Sequence, residues 1–274
     1  MRTELIRFAT EDGFPLEGLV HGPDAGPGAR AVLLVHGKTM NFYTCLGWVL
    51  PPHLTALGWS CLAMNRRGHD LGGIRESRAS IGGASETFGD SQHDIGGGMA
   101  ELRRRGFKTI VLVGHSFGGI ASAAYASDNP QDVAALALCS AGRGGRNYLL
   151  QVSRGGMLAG DRHAEIDAEA RRLVAAGRGG RMMALQGWWY AITAASWVDL
   201  SENVRGTVES ACRYPGPILA LRGGLEGPAQ YPAEEIARTC GDRARLAVLP
   251  GADHFYNNTE AALANALGDW LQTI

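Results

Sequence analysis

Ile110-Val111-Leu112-Val113-Gly114-His115-Ser116-Phe117-Gly118-Gly119 runs from an apolar stretch straight into Gly-x-Ser-x-Gly, and Ile120, Ala121, Ser122, Ala123 and Ala124 follow at once. The apolar residues read as a buried strand, and the small residues after the glycines suit a helix. With no loop between them, the strand has to turn so sharply that Ser116 is held in a strained conformation. Gly114 and Gly118 follow from that turn, because a Cβ at either would collide with neighbouring backbone. The serine hydroxyl is then thrust out alone at the carboxyl edge of a sheet, the arrangement of a nucleophile elbow. A chain with 39 glycines meets the five-residue pattern easily by chance. What makes it mechanical is the strand before and the helix after.

Outward from this stretch, similar runs recur, each followed by glycine and a helical segment: Ala31 to Val35, Ser60 to Met64, Val133 to Cys139, Ile218 to Leu221 and Arg245 to Leu249. Strands alternating with helices predict an α/β fold with a mainly parallel central sheet covered by helices on both faces. Residues 3 to 8 and 15 to 22, separated by Glu11-Asp12-Gly13, read as an antiparallel hairpin. A last helix over about 256 to 273 carries Leu263, Leu267, Trp270 and Leu271 on one face. The interval 143 to 214 breaks the rhythm. It holds no convincing strand, but has a charged helical segment (Ala164 to Ala176), a Gly/Arg-rich break and the cluster Trp188, Trp189, Tyr190 and Trp197. We read it as a helical cap inserted into a core of residues 1–142 and 215–274. Its aromatics either pack the cap on the core or line a substrate pocket; Trp188, Trp189 and Trp197, with Met40, are the candidate substrate-binding residues.

A serine hydroxyl is a poor nucleophile at neutral pH, so it needs a base within hydrogen-bond reach and an acid that fixes the base's tautomer. In chain order the acid should follow the serine and the histidine should come last. His254 stands on the loop after the run Arg245 to Leu249 and is the candidate base. Glu226 is the carboxylate on the loop after Ile218 to Leu221 and is the candidate acid, with Asp253 as its rival. The oxyanion of a tetrahedral intermediate needs two backbone donors. These are expected to be the amide of Phe117, after the nucleophile, and that of Lys38, in the turn after Ala31 to Val35. The Lys38 side chain is expected to reach solvent, with orientation of an anionic substrate as the alternative.

Other patterns carry less. Gly37-Lys38-Thr39 is not a phosphate loop, since Val32 stands where its first glycine is required. Gly96-Gly97-Gly98 lacks the preceding strand of a dinucleotide fingerprint. In Asn65-Arg66-Arg67-Gly68-His69-Asp70 the arginines are expected to pair with carboxylates near the sheet edge.

The 274 residues are enough for one sizeable catalytic domain with an insertion, at 45% apolar content. Lys and Arg number 26 against 27 Asp and Glu, a net charge of -1, which leaves no electrostatic footprint for nucleic acid or an anionic membrane. The partner is expected to be a small molecule, and a homodimer is compatible with the composition. Cys45, Cys61, Cys139, Cys212 and Cys240 are scattered without metal-ligand spacing and read as free thiols of a reducing compartment. Met1 to Arg7 includes an acidic residue and no long apolar core, so the expected location is cytoplasmic.

Taken together, His36-Gly37, Asn65-Arg66-Arg67-Gly68-His69, the turn from Gly114 to Gly118, and Gly251-Ala252-Asp253-His254 resemble the α/β-hydrolase superfamily over nearly the whole chain. His36 to Tyr43, and Glu86-Thr87-Phe88 through Asp94-Ile95, are similar to its capped, esterase-like bacterial members. The resemblance implies the α/β-hydrolase fold and Ser/acid/His catalysis, with neither metal nor organic cofactor. Glu226 departs from the aspartate usual at its position. The expected function is a serine hydrolase acting on a carboxylic ester, thioester, lactone or amide through an acyl-enzyme on Ser116. Acyl transfer, cyclisation or carbon-carbon bond hydrolysis at the same site, and a non-catalytic ligand receptor, are the alternatives.

Overall fold

Alternating burial builds the sheet. In β3 (Arg30–Val35), Ala31, Leu33 and Val35 join one apolar cluster while Val32 and Leu34 join another on the opposite face. The computed structural model describes residues 1–24, 26, 28–74, 80–156, 158–186 and 191–274. Before β3 come β1 (Arg2–Ala9) and β2 (Pro15–Gly22), the expected antiparallel hairpin. After it come α1 (Leu46–Ala56), β4 (Ser60–Met64), a short ladder of β5 (Gly73–Ile74) and β6 (Ser80–Ile81), α2 (Phe88–Arg104), β7 (Thr109–His115), α3 (Phe117–Asp128) and β8 (Ala135–Cys139). The chain continues through α4 (Tyr148–Arg154), α5 (His163–Ala175), β9 (Met182–Ala184), β10 (Ala191–Thr193), α6 (Ala194–Glu202) and α7 (Thr207–Arg213). It closes with β11 (Ile218–Gly223), α8 (Ala233–Cys240), β12 (Ala244–Leu249) and α9 (Glu260–Leu271).

The main sheet has eight strands in the order β1-β2-β4-β3-β7-β8-β11-β12, parallel from β4 to β12. Leu46, Leu50 and Leu54 of α1 and Leu263, Leu267 and Trp270 of α9 cover one face. Ile95 and Met99 of α2, Ile120 and Ala124 of α3, and Ile236 of α8 cover the other. The glycine triplet lies inside α2, where a Cβ on Gly98 would stand 2.6 Å from Met64 Sδ and 3.0 Å from Leu33. These glycines let the helix settle onto the strands. The caps agree: Thr87 and Asp90 form a capping box at the start of α2.

Register puts the ends of neighbouring strands side by side. Val35 pairs with Gly114, Gly114 with Leu138, His115 with Cys139, Cys139 with Leu221, and Gly223 with Leu249. The loops after β3, β7, β8, β11 and β12 therefore open on one edge of the sheet.

The excursion between β8 and β11 leaves and returns at one place. Gly144 bridges Gly206, Gly145 N–H donates to Arg205 O, and Thr207 N–H donates to Arg143 O. Between these ends, α5 and α6 pack together around Trp197. The excursion is tied down by Ser196 Oγ donating to Glu86 O, Phe88 N–H to Asp199 and Thr193 N–H to Ala84 O. α7, by contrast, packs on α3 and α8 at the flank of the sheet. Contrary to the expectation from sequence that this segment holds no strand, β9 and β10 form a short antiparallel ladder. The expectation of five free thiols is also corrected, because Cys212 and Cys240 form a disulfide with Cα atoms 4.9 Å apart, joining the ends of α7 and α8. Cys45, Cys61 and Cys139 are free. Among the described residues no helix is long and apolar enough to cross a membrane.

Candidate active site

Ser116 lies at φ 55°, ψ -121°, between the last residue of β7 and the first of α3. Few non-glycine residues occupy that region, and it persists here because the neighbours leave no alternative. A Cβ on Gly114 would come within 2.5 Å of Gly118 O and Ser122 Oγ, and one on Gly118 within 2.5 Å of Val35 O. Ser116 N–H donates to Cys139 O, fixing the turn against β8. The hydroxyl is left facing the edge where the five loops open.

The structure brings three of the expected residues into one line. His254 Nε2 is 3.0 Å from Ser116 Oγ, and His254 Nδ1 is 2.7 Å from Glu226 Oε1. A carboxylate can only accept, so the proton sits on Nδ1 and Nε2 faces the serine as an acceptor. The rival carboxylate, Asp253, is occupied within its own turn by the amides of Phe255 and Asn257. Glu226 is nearly fully buried, and its second oxygen accepts from Gly223 N–H at 2.7 Å and Ser140 Oγ at 2.5 Å. Ser140 in turn is 2.6 Å from the hydroxyl of Tyr256, which donates to it because Ser140 has given its proton to Glu226.

Sequence reasoning did not find Ser140 or Tyr256. Each sits on a loop beside an assigned element, and each has positive φ, 44° and 61° respectively. The available signal was positional: Ser140 is the first residue after β8, on the edge that carries the site. Burial holds the Tyr256 hydroxyl protonated, with its pKa well above that of a free phenol.

His115, the residue before Ser116, lies against His254 with ring centroids 4.8 Å apart and the rings tilted by 39°, and donates from Nε2 to His254 O at 2.8 Å. Burial first, and the neighbouring His254 second, depress its pKa to about 3. The unfolded chain binds this proton below the ordinary value of 6.5, and the folded chain does not until about 3. Stability present above that upper value is therefore lost as pH falls through the interval, at about 1.4 kcal/mol per pH unit. His115→Gln should lose less stability than the parent in urea unfolding at about pH 7, 5 and 4. Parallel losses would show that His115 does not carry this dependence.

The turn after β3 lies against the serine: a Cβ on Gly37 would stand 3.0 Å from Ser116 Cβ. Its Lys38 side chain does not reach solvent, contrary to expectation. It is buried, donating to Glu86 and to Gly83 O. Arg66 pairs with Glu86 at 2.7 Å, and Arg67 with Asp94 at 2.7 Å and Asp12 at 2.8 Å, the carboxylate pairing foreseen for both arginines.

Beside Ser116 and His254 opens a small cleft whose walls include Phe117, Ile120, Tyr148, Val152 and Tyr231, with Arg143, Gln151 and Gln230 among its polar residues. Trp197 is not among the lining residues; it is fully buried in the excursion, with its ring 5.3 Å from His163 and its Nε1 donating to Asp167. Met40 lines a separate small cavity behind the Gly37 turn. Trp188 and Trp189 lie outside the described residues.

A family profile described as alpha/beta hydrolase fold matches residues 30–208, well over half of the chain. The chain belongs to the α/β-hydrolase family. Its likeness to solved members is one of fold. Est1E from Butyrivibrio proteoclasticus, described with ferulic acid bound, is 17% identical with a TM-score of 0.71, over 97% of this chain and 98% of that one. A thermostable carboxyl esterase from Bacillus coagulans is 15% identical with a TM-score of 0.72, over 100% and 99%. The esterase domain of a Rhodothermus marinus protein is 18% identical with a TM-score of 0.66, over 98% of each chain. No curated protein shows significant sequence similarity to this α/β hydrolase.

Proposed function

We propose that this α/β hydrolase cleaves carboxylic esters of small molecules through an acyl-enzyme on Ser116. The observation that carries the reading is the line from Ser116 Oγ to His254 Nε2 at 3.0 Å and from His254 Nδ1 to Glu226 at 2.7 Å. In this scheme Ser116 Oγ attacks the ester carbonyl as its proton passes to His254, and Glu226 stabilises the imidazolium that forms. The carbonyl oxygen becomes an oxyanion held by the amides of Phe117 and Lys38. Phe117 is the first residue of α3, where backbone N–H groups have no partner within the helix and the dipole favours negative charge. Collapse of the intermediate breaks the bond to the alkoxy group, which takes the proton from His254 and leaves as an alcohol. Water then adds to the acyl-enzyme by the same proton route and releases the acid.

The cavity next to the serine supports an acyl group with an apolar, flat body, since Phe117, Tyr148 and Tyr231 give it aromatic walls. The ferulic acid of Est1E is such a group, and aromatic acyl esters are the first substrates to try.

Incubation with a fluorophosphonate probe should add one probe mass, located at Ser116 by peptide mapping. Exposure to a panel of aryl and alkyl esters should give a transient adduct whose mass reports the acyl group. A protein that takes no probe at Ser116 would end this proposal.

A further inference from the structure

Ser140 and Tyr256 close a circuit of hydrogen bonds behind the serine, histidine and glutamate. Oε1 of Glu226 faces His254 Nδ1 at 2.7 Å, and Oε2 accepts from the Ser140 hydroxyl at 2.5 Å. Ser140 Oγ accepts from Tyr256 at 2.6 Å, and Tyr256 stands two residues beyond His254 on the same turn. The base and its acid are therefore joined twice, once through the imidazole and once through two hydroxyls. Ser140 and Tyr256 are fully buried and Glu226 nearly so, which keeps bulk water from competing for these bonds.

A glutamate needs such a hold more than an aspartate would. Its side chain has one more rotatable bond, and a carboxylate that swings away from Nδ1 leaves the imidazole free to tilt or to change tautomer. The backbone beneath it is braced: Arg222 Nη1 donates to Gly223 O at 2.8 Å and to Glu226 O at 2.9 Å, and Arg222 is itself paired with Glu234. Beyond the backbone, Oε2 is held by Gly223 N–H at 2.7 Å and by Ser140. Of these two donors, Ser140 continues to the turn that carries His254. Ser140 at φ 44° and Tyr256 at φ 61° both hold left-handed backbone that non-glycine residues rarely adopt. Such conformations persist where the surroundings over-determine them, and they gather at functional sites.

We infer that Tyr256 and Ser140 are positioning residues: through their hydroxyls the turn carrying His254 sets the rotamer of Glu226, and with it the aim of His254 Nε2 at Ser116 Oγ. The inference rests on the acyl-enzyme reading above. An electronic role would have the opposite sign. Donors to Oε2 draw charge from the carboxylate and weaken its hold on the imidazolium, so a purely polarising chain would slow the reaction and its removal would speed it. Hydroxyls that act by geometry slow the reaction when they are removed.

The test is the second-order rate at which a fluorophosphonate phosphonylates Ser116, followed by intact mass, which needs no knowledge of the substrate. It is read beside Tm and the low-field proton resonance of His254 Nδ1–H, which reports the bond to Glu226 directly. Tyr256→Phe removes one hydroxyl and keeps the aromatic ring; labelling should slow about threefold to tenfold, with the resonance moved upfield. Ser140→Ala breaks the circuit at the acid and should slow labelling about tenfold to a hundredfold. Because Tyr256 acts through Ser140, adding Tyr256→Phe to Ser140→Ala should slow labelling no further. The double variant should also regain Tm, since it removes a buried hydroxyl left without its partner. Parent-like or faster labelling of the two single variants overturns the inference. So does further slowing in the double variant, or slowing that follows lost Tm while the resonance stays in place. A parent that labels but turns over no ester would end the ester reading and leave this comparison standing.

Discussion

Ser116→Ala is expected to lower kcat/KM for an ester substrate by about 10⁴ to 10⁶ while the protein stays folded. The size of the loss follows from what the hydroxyl alone supplies: the covalent intermediate and the proton that His254 accepts. What survives is the contribution of the donor amides and the cavity, which bind and polarise the carbonyl without a nucleophile. The fold should not notice. Among the described residues the Ser116 hydroxyl is hydrogen-bonded to His254 alone, and alanine at φ 55° carries the same backbone strain as serine. Ser116→Gly separates the two properties. It should be as inactive as the alanine variant, yet gain about 1 kcal/mol of stability, because glycine relaxes at a positive φ. Steady-state kinetics with a p-nitrophenyl ester and thermal unfolding of the three proteins would check both. Activity of Ser116→Ala within about tenfold of the parent would remove this serine from the nucleophile's role.

Glu226→Gln should cost about 10³ to 10⁴ in kcat, with KM little changed, for a reason written in the acid's surroundings. Oε2 of Glu226 accepts from two donors, Gly223 N–H and Ser140 Oγ. A glutamine there will place its carbonyl oxygen toward them and turn its NH₂ group to His254. His254 Nδ1 must then accept, the ring proton moves to Nε2, and the imidazole can no longer take the proton of Ser116. Ser140→Ala together with Glu226→Gln removes one donor and lets the amide turn over. The double variant should therefore lose less than the sum of the single losses. Strict additivity in that cycle would mean that the amide is not oriented by Ser140.

Much of this was legible in the chain because the sheet is regular. Apolar runs of strand length, separated by helices, allow essentially one layered arrangement, and that arrangement sends the loops carrying Ser116, Glu226 and His254 to one edge in the order read from the sequence. What stayed hidden depends on contacts between distant residues. Lys38 is buried only because Glu86, 48 positions away, meets it. Ser140 and Tyr256 meet across 116 positions, on backbone conformations that neither residue type advertises. Cys212 and Cys240 lack any motif and pair because two helix ends converge. Trp197 shows the limit of composition: an indole serves a pocket or a core equally well, and here Asp167 and His163 decide for the core. β9 and β10, three residues each, are too short for alternation to show.

The bridge between Gly144 and Gly206 has a consequence for how such a protein diversifies. Because both ends of the excursion are clamped within one backbone pairing, its contour can lengthen, shorten or be exchanged while the strands beneath keep their register. Loop-closure entropy grows only logarithmically with length, so such grafts carry little thermodynamic penalty. Tyr148 and Val152 of the cavity wall thereby lie on the exchangeable stretch, while Ser116, His254, Phe117 and Tyr231 lie outside it. Recombination at this clamp could retarget the serine without rebuilding it.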